Sequence, residues 1–497
     1  MIRNAHEGFL TFPCFHMRSV RSVFPMQMRI GGAEETSHRE AWIPVINPAT
    51  GEEIDQVPSG DAEDVARAVE AAGRAQEVWA ARSMRDRGKI LFLAAERIRE
   101  MHPALAMLLT REQGKPIKEA IDEIRGFANI LEFYAGISAH PTEEFLPLGR
   151  FGDCIVTREP LGVCGAIIPW NMPAIILGWK VAPALLTGNT VVIKPSSTAP
   201  LTSLSLGGIL EQAGLPPGVL NMVTGTGESA GMPLVRHPDI RKISFTGSTE
   251  TGYMVLHAAR EHLKEVTLEL GGSDPMIVWE DAPLEQALDG VMRGRFYNAG
   301  QTCTSVKRLL LHQSIADRFI ADLVARSKTL RVGNGLDPQT EMGPLHTAAL
   351  RDHLARITEQ SGGEILLGGV PLDIPPYDRG HFYPPTLVTD LPSDSVVLTQ
   401  EVFGPVLPIV IFSDLEEAIQ RANASRYGLG ASIWTRDREI ADTVFRKVRA
   451  GLVWVNRHLT VPPEVPFGGM KESGMGRENG YQALSQHTQI RSWILGR

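Results

Sequence analysis

The sequence predicts an α/β fold in which a doubly wound parallel sheet of the nucleotide-binding type precedes a second α/β unit. Three observations point there. Between residues 162 and 270, five short apolar strands alternate with helical segments, and crossovers of that kind force a mostly parallel sheet covered on both faces. A second series of strands and helices follows Gly271-Gly272. The chain has 497 residues, 43% of them hydrophobic and 21% charged. That length calls for more than one core, and the composition excludes a disordered or collagen-like chain.

Residues 1–28 stand apart. They carry Arg3, Arg18 and Arg21 against a single acid, Glu7. The stretch reads either as an organelle transit peptide or as an over-extended start, with Met17, Met26 or Met28 as alternatives, and it is expected to be disordered. From Asp61, placed as a cap, Val65, Ala68, Ala72, Ala75 and Trp79 recur at helical spacing. Ile90, Leu93, Ala94, Ile98 and Met101 repeat the pattern.

The alternating region begins with a strand over Gly162–Ile168, a helix over Ala174–Leu186 and a strand over Val191–Lys194. A helix over Leu201–Ala213, a strand over Val219–Val223 and a short helix near Glu228–Val235 come next. Strand Lys242–Phe245, helix Thr249–Arg260 and strand Val266–Leu270 complete it. In the second unit the expected strands are Met276–Trp279, Val306–Leu311, Val406–Phe412, Ala431–Trp434 and Leu452–Val455. Helices are expected near 283–296, 314–328, 414–424 and 437–449. The 20 uncharged residues from Pro160 to Trp179 are long enough for a bilayer. Pro160, Pro169 and Pro173, with three glycines, break any such helix, so a strand, a turn and a buried helix read better.

The net charge of −8 recruits neither nucleic acid nor an anionic membrane surface. Four cysteines, Cys14, Cys154, Cys164 and Cys303, form no CxxC pair and no disulfide framework. This fits a reducing, cytoplasmic setting in which a lone cysteine is a candidate nucleophile. No His/Cys cluster has the spacing of a metal site, so no metal is expected.

In this architecture ligands sit at the carboxyl ends of strands. Lys194 ends one strand and can reach cofactor hydroxyls or phosphates, unless it is a surface lysine. Gly247-Ser248 opens a helix whose backbone N–H groups can hold a phosphate, although the spacing is not the Gly-x-Gly-x-x-Gly fingerprint. Glu269 ends an apolar strand as either a paired structural acid or a general base. Cys303 lies in a polar loop between Thr302 and Thr304, where an accessible nucleophile and a buried inert thiol are both open. Asn171 is a turn residue or an oxyanion donor.

Seven segments occur in order: Pro169-Trp170-Asn171, Lys194-Pro195-Ser196, Phe245-Thr246-Gly247-Ser248-Thr249, Glu269-Leu270-Gly271-Gly272, Gly300-Gln301-Thr302-Cys303, Glu401-Val402-Phe403-Gly404-Pro405 and Pro466-Phe467-Gly468-Gly469. With them the chain resembles the aldehyde dehydrogenase superfamily from about residue 40 to 495. The resemblance implies an NAD(P)-binding domain over 29–143 and 161–271 and a catalytic domain over 272–470. It also implies a small β oligomerisation element over 144–160 and 484–497, building a homodimer or homotetramer. It implies that Cys303 attacks an aldehyde, that Asn171 and the Cys303 N–H hold the oxyanion, and that Glu269 activates water to hydrolyse the thioester. Relatives that pass the acyl group to coenzyme A generally lack that carboxylate. A structural or binding-only homologue would need no nucleophile.

By the same resemblance Ile168, Trp170, Lys194, Ser197, Gly247, Ser248, Glu401 and Phe403 bind the cofactor. Trp179, Tyr297, Thr302, Arg457, His458 and Phe467 line the substrate pocket. Many NAD-preferring relatives have Glu where this chain has Ser197. A carboxylate about 4 Å from a 2′-phosphate is repelled by roughly 4 kcal/mol at an effective dielectric of 20, so its absence leaves both NAD and NADP open. Trp179 argues for an apolar tunnel, while Arg457 and His458 keep semialdehyde and lactaldehyde-type substrates open.

Overall fold

The computed structural model describes residues 26–140 and 143–496. Its first sheet contains Val163–Ile167, Thr190–Lys194, Leu220–Met222, Lys242–Thr246 and Glu265–Glu269, all parallel. Across the sheet they lie in the order third, second, first, fourth, fifth. Strands buried on both faces read as continuous apolar runs, which is why the sequence places each of them to within one or two residues. The order reverses between Val163–Ile167 and Lys242–Thr246, and such a reversal opens a crevice beyond the strand ends. Trp170-Asn171 and Gly247-Ser248 follow those two strands.

Both edges of this sheet are extended by antiparallel partners. Met28–Ile30 pairs with Leu220–Met222, and Gly474–Met475 returns from the second unit to pair with Glu265–Glu269. The first of these corrects the boundary of the expected disordered extension, because Met28 is fully buried in a strand. The rest of that extension up to residue 25, including Cys14, lies outside the described residues.

Two long helices, the first only partly visible in the periodicity of Ile90–Met101, pack over the helices that flank the first sheet. Met84–Gln113 runs for 30 residues from its Ser83 cap to left-handed Gly114. Ile117–Ile137 packs along it and against the buried helix Pro173–Leu186. The 20 uncharged residues therefore form a strand, a turn and a helix. No described helix is long and apolar enough to cross a membrane.

The second sheet has seven strands: Glu364–Leu367, Thr386–Thr389, Val406–Phe412, Val306–His312, Asp274–Val278, Gly430–Trp434 and Leu452–Val455, in that spatial order. All neighbours are parallel except the first pair. A separate three-stranded antiparallel sheet joins Glu144–Pro147, Asp153–Pro160 and Thr488–Leu495. The two large units meet through shared packing, since Leu429, Leu452, Trp454 and Phe467 belong to the same apolar cluster as the helices of the first sheet.

Candidate active site

At that junction lies a cavity of roughly 380 Å³. Trp179, Tyr297, Thr302, Cys303 and Phe467 line it, together with the chain from 459 to 463. The Trp179 and Phe467 rings pack at 4.5 Å. Arg457 and His458 are not part of the lining, which corrects their expected place in the substrate pocket. Asn456 and Leu459 both adopt left-handed backbone, and the chain between these kinks directs its side chains elsewhere. Arg457 is exposed. His458 is buried, its Nδ1 2.9 Å from Ser432 Oγ and its Nε2 2.7 Å from the Thr304 carbonyl, so it props the cysteine loop from behind.

That loop is conformationally demanding. Asn298, Ala299 and Gly300 have φ of 52°, 52° and 73°, three left-handed residues in succession. For a side chain such as that of Ala299 this costs about 1–2 kcal/mol. Surrounding bonds hold the turn. The Asn298 N–H donates to Glu119 Oε2 at 2.8 Å, and its side-chain amide donates to the carbonyls of Asn171 at 3.0 Å and Gln301 at 3.2 Å. Burial raises the Glu119 carboxyl to about 8.

The turn delivers Cys303 to the cavity wall. Burial pushes its thiol up to about 12, with Lys307 pulling the other way. Lys307 Nζ donates to the carbonyls of Cys303 at 3.1 Å and Gly272 at 3.3 Å, and to Glu401 Oε1 at 2.9 Å. The Asn171 side-chain amide, which is buried, donates to the Gln301 carbonyl at 3.1 Å. The Asn171 backbone carbonyl accepts from Lys115 Nζ at 2.9 Å, and Lys115 is in turn paired with Glu123. Asn171 and the cysteine loop are thus tied together through the Gln301 carbonyl and Asn298.

Glu269 sits behind the lining and is buried, with neither carboxylate oxygen hydrogen-bonded. Desolvation raises its pKa well above the usual carboxylate range and Glu478 adds to it, while Lys180 and Arg477 oppose. Buried polar atoms are nearly always satisfied, so a doubly unmet carboxylate near the half-buried Cys303 thiol makes Glu269 a candidate acid or base. The glycines around it have a steric reason: a Cβ on Gly468 would stand 2.8 Å from Glu269 Oε1. Glu478 is ion-paired with Lys180, the single charge in the helix Pro173–Leu186.

The strand-end residues form a second group. Lys194 is buried, its Nζ donating to the Gly225 carbonyl at 3.0 Å, and burial lowers it to about 8. Ser197 is half-buried, and the Ile168 N–H donates to the Lys194 carbonyl at 3.0 Å. Ser248 caps the helix Thr249–Ala259 by accepting from the Thr251 N–H at 3.2 Å. The Gly247 N–H is engaged by the Glu269 carbonyl at 3.1 Å. Glu401 Oε1 also accepts from the Gly272 N–H at 3.1 Å, and a Cβ on Gly271 would stand 2.5 Å from its other oxygen. Phe403 meets the edge of Trp170 at 5.6 Å.

Sequence reasoning missed the supports: Lys115, Glu119, Glu123, Asn298, Lys307, Glu478 and His346. Some left a trace, since Lys307 interrupts an apolar strand that is buried throughout. Among the described residues His38, Asp61 and Asp64 could gather around an ion. Arg39 and Arg67 already pair with those two acids.

Comparison with known proteins agrees with this geometry. The aldehyde dehydrogenase family model matches residues 34–493. A betaine aldehyde dehydrogenase of Brucella anthropi is 41% identical over 468 residues, covering 93% of this chain and 96% of that protein. Two solved structures superpose with a TM-score of 0.93 at 34% identity, each over 95% of this chain. They are an NADP-dependent enzyme of E. coli, covered to 98%, and a betaine aldehyde dehydrogenase of Staphylococcus aureus in complex with NAD+, covered to 95%. A nucleophile loop, an unpaired carboxylate and a strand-end crevice, joined along nearly the whole chain to these likenesses, place the protein in the aldehyde dehydrogenase family.

Proposed function

We propose that Cys303, Glu269 and Asn171 carry out the NAD(P)-dependent oxidation of an aldehyde to its carboxylic acid. The observation that carries this reading is the buried Glu269 carboxylate without a hydrogen bond, beside the Cys303 thiol.

The residues present fit a dinucleotide. Lys194 has three donors and one protein acceptor, Thr246 Oγ1 is buried without a partner next to Gly247, and the helix after Ser248 offers its positive end. Lys194 and Ser197 would hold the adenosine ribose, Gly247 and Ser248 the pyrophosphate, Glu401 the nicotinamide ribose. Ile168, Trp170 and Phe403 would flank it. When bound, NAD or NADP supplies the ring that accepts hydride. The Cys303 thiolate attacks the carbonyl carbon, and the new oxyanion is held by the Asn171 amide and the Cys303 N–H. Loss of hydride from that carbon would leave a thioester on Cys303. Glu269 then takes a proton from water, the hydroxide adds to the thioester carbonyl, and the C–S bond breaks to release the acid and the Cys303 thiolate. Glu269 thereby favours hydrolysis over transfer to another acceptor.

The aldehyde enters between the faces of Trp179, Tyr297 and Phe467, so an apolar body is the first choice of substrate. Arg457 no longer supports recognition of a distal carboxylate. Betaine aldehyde is the second reading, favoured by the names of the relatives and by aromatic faces with Asp122 in the cavity wall, which suit a cation. The domain boundaries, a cytoplasmic location and assembly through the three-stranded sheet belong to the same proposal.

A panel of aldehydes tested with NAD and NADP checks it. NAD(P)H formation is expected with apolar or cationic aldehydes and abolished in Cys303→Ser. Turnover persisting in that variant contradicts the nucleophile assignment.

A further inference from the structure

His346 follows Gly343-Pro344-Leu345 in the catalytic unit, yet its ring reaches the first sheet. The buried imidazole lies between the loop after Lys194 and the turn that holds Asn171. Nδ1 is 3.3 Å from the Gln113 carbonyl, and a carbonyl only accepts, so Nδ1 carries the proton. Nε2, 2.8 Å from Thr198 Oγ1, is then the acceptor of the threonine hydroxyl. That hydroxyl oxygen, 3.1 Å from Ser196 Oγ, can accept in turn from Ser196, and the Thr198 N–H donates back to Ser196 Oγ at 3.3 Å. Ser197 is therefore bracketed by two residues whose side chains are tied to one ring. The same ring stacks on Trp170, with centroids 4.5 Å apart and planes at 11°. The backbone N–H of His346 donates to Gln301 Oε1 at 2.8 Å, two residues before the nucleophile.

We propose that His346 is a positioning residue that fixes the Ser196-Ser197-Thr198 loop for the ribose end of the dinucleotide and ties that loop to the Trp170 turn. Thr198 is exposed, and a three-residue loop at a strand end has little packing to hold it. A neutral imidazole with one fixed donor and one fixed acceptor, clamped by a parallel indole, supplies a rigid post. The side chain acts on cofactor binding, whereas the backbone N–H, which any residue would offer, serves the cysteine loop. The two roles separate on substitution. The inference rests on reading Lys194 and Ser197 as the ribose site.

The test compares wild type with His346→Ala, His346→Gln, Thr198→Val, the double variant His346→Ala/Thr198→Val, and Lys194→Ala. The KM for NAD and NADP and the kcat at saturating dinucleotide are measured, as is the rate of iodoacetamide alkylation of Cys303 without cofactor. Loss of one buried hydrogen bond and its stack predicts a rise of roughly tenfold in the KM of the preferred dinucleotide for His346→Ala. The saturated kcat and the alkylation rate should stay within about twofold of wild type. Thr198→Val, a change at an exposed position that leaves the core intact, should reproduce much of the rise. The double variant should add little to it. His346→Gln, keeping a donor and an acceptor, should recover part. An unmoved KM in both His346→Ala and Thr198→Val overturns the inference, as does a fall in kcat and alkylation with KM unchanged. Lys194→Ala separates the two failures. If it leaves KM unchanged, the ribose-site reading itself fails; if it raises KM while the His346 and Thr198 variants do not, only the role of His346 fails.

Discussion

Cys303 has a thiol that burial drives up to about 12 even with Lys307 beside it, so the thiol form dominates at pH 7. Its alkylation in the cofactor-free protein should therefore rise tenfold per pH unit from pH 7 to 10. A rate plateau below pH 9 would show instead that Lys307 already holds the thiolate. The same residue shows what a sequence can disclose. Cys303, Glu269, Asn171 and Lys194 are legible because each is a reactive type at a strand end or in a polar loop, where this architecture gathers ligands. Lys307, Glu119 and His346 are not, because their meaning depends on atoms 94, 179 and 148 positions away in the chain. Arg457 and His458 misled for a backbone reason: two left-handed residues turn the segment, and the cavity meets the chain just beyond them.

Elements buried on both faces were easiest to read, because burial on both sides imposes an uninterrupted apolar run. The starts of two core helices are legible to within one residue, but what satisfies them is not. Pro173–Leu186 and Leu201–Gln212 begin at Met172 and Pro200, neither with a side-chain cap. Their first N–H groups are met by acids from other helices instead. Glu123 Oε1 accepts from Ala174 at 2.8 Å, and the two oxygens of Glu112 accept from Leu201 and Thr202 at 2.8 Å each. Such tertiary caps have no local signature, unlike Asp61, whose capping of Ala62–Ala80 the sequence shows. Thr488–Leu495 was faint for the opposite reason. It pairs along its whole length with Asp153–Pro160 but is exposed on both faces, so nothing within the chain imposes an alternation of period two.

Across the whole molecule that sheet stands out by its exposed apolar side chains. Phe145 and Trp493, both level with Ile155, share one face of it and Ile490 and Ile494 the other, and all four are more than 60% exposed, apolar surface of a kind that marks association. Sedimentation at micromolar concentration should give a mass at least twice 54.4 kDa, and Trp493→Glu with Ile490→Glu should shift the protein toward monomer. A wild-type monomer contradicts the assembly role of these strands. The catalytic centre is likewise a property of the whole, since Asn171 and Glu269 come from the first unit and Cys303 and Phe467 from the second. The chemistry proposed for it places a thioester on Cys303 that Glu269 is needed to hydrolyse. The most direct measurement is the intact mass of Glu269→Gln after mixing with dinucleotide and an accepted aldehyde. The expected result is an adduct equal to the aldehyde less two hydrogen atoms, mapped to Cys303, that persists while wild type turns over. No adduct, an adduct on another residue, or steady turnover equal to wild type would contradict it.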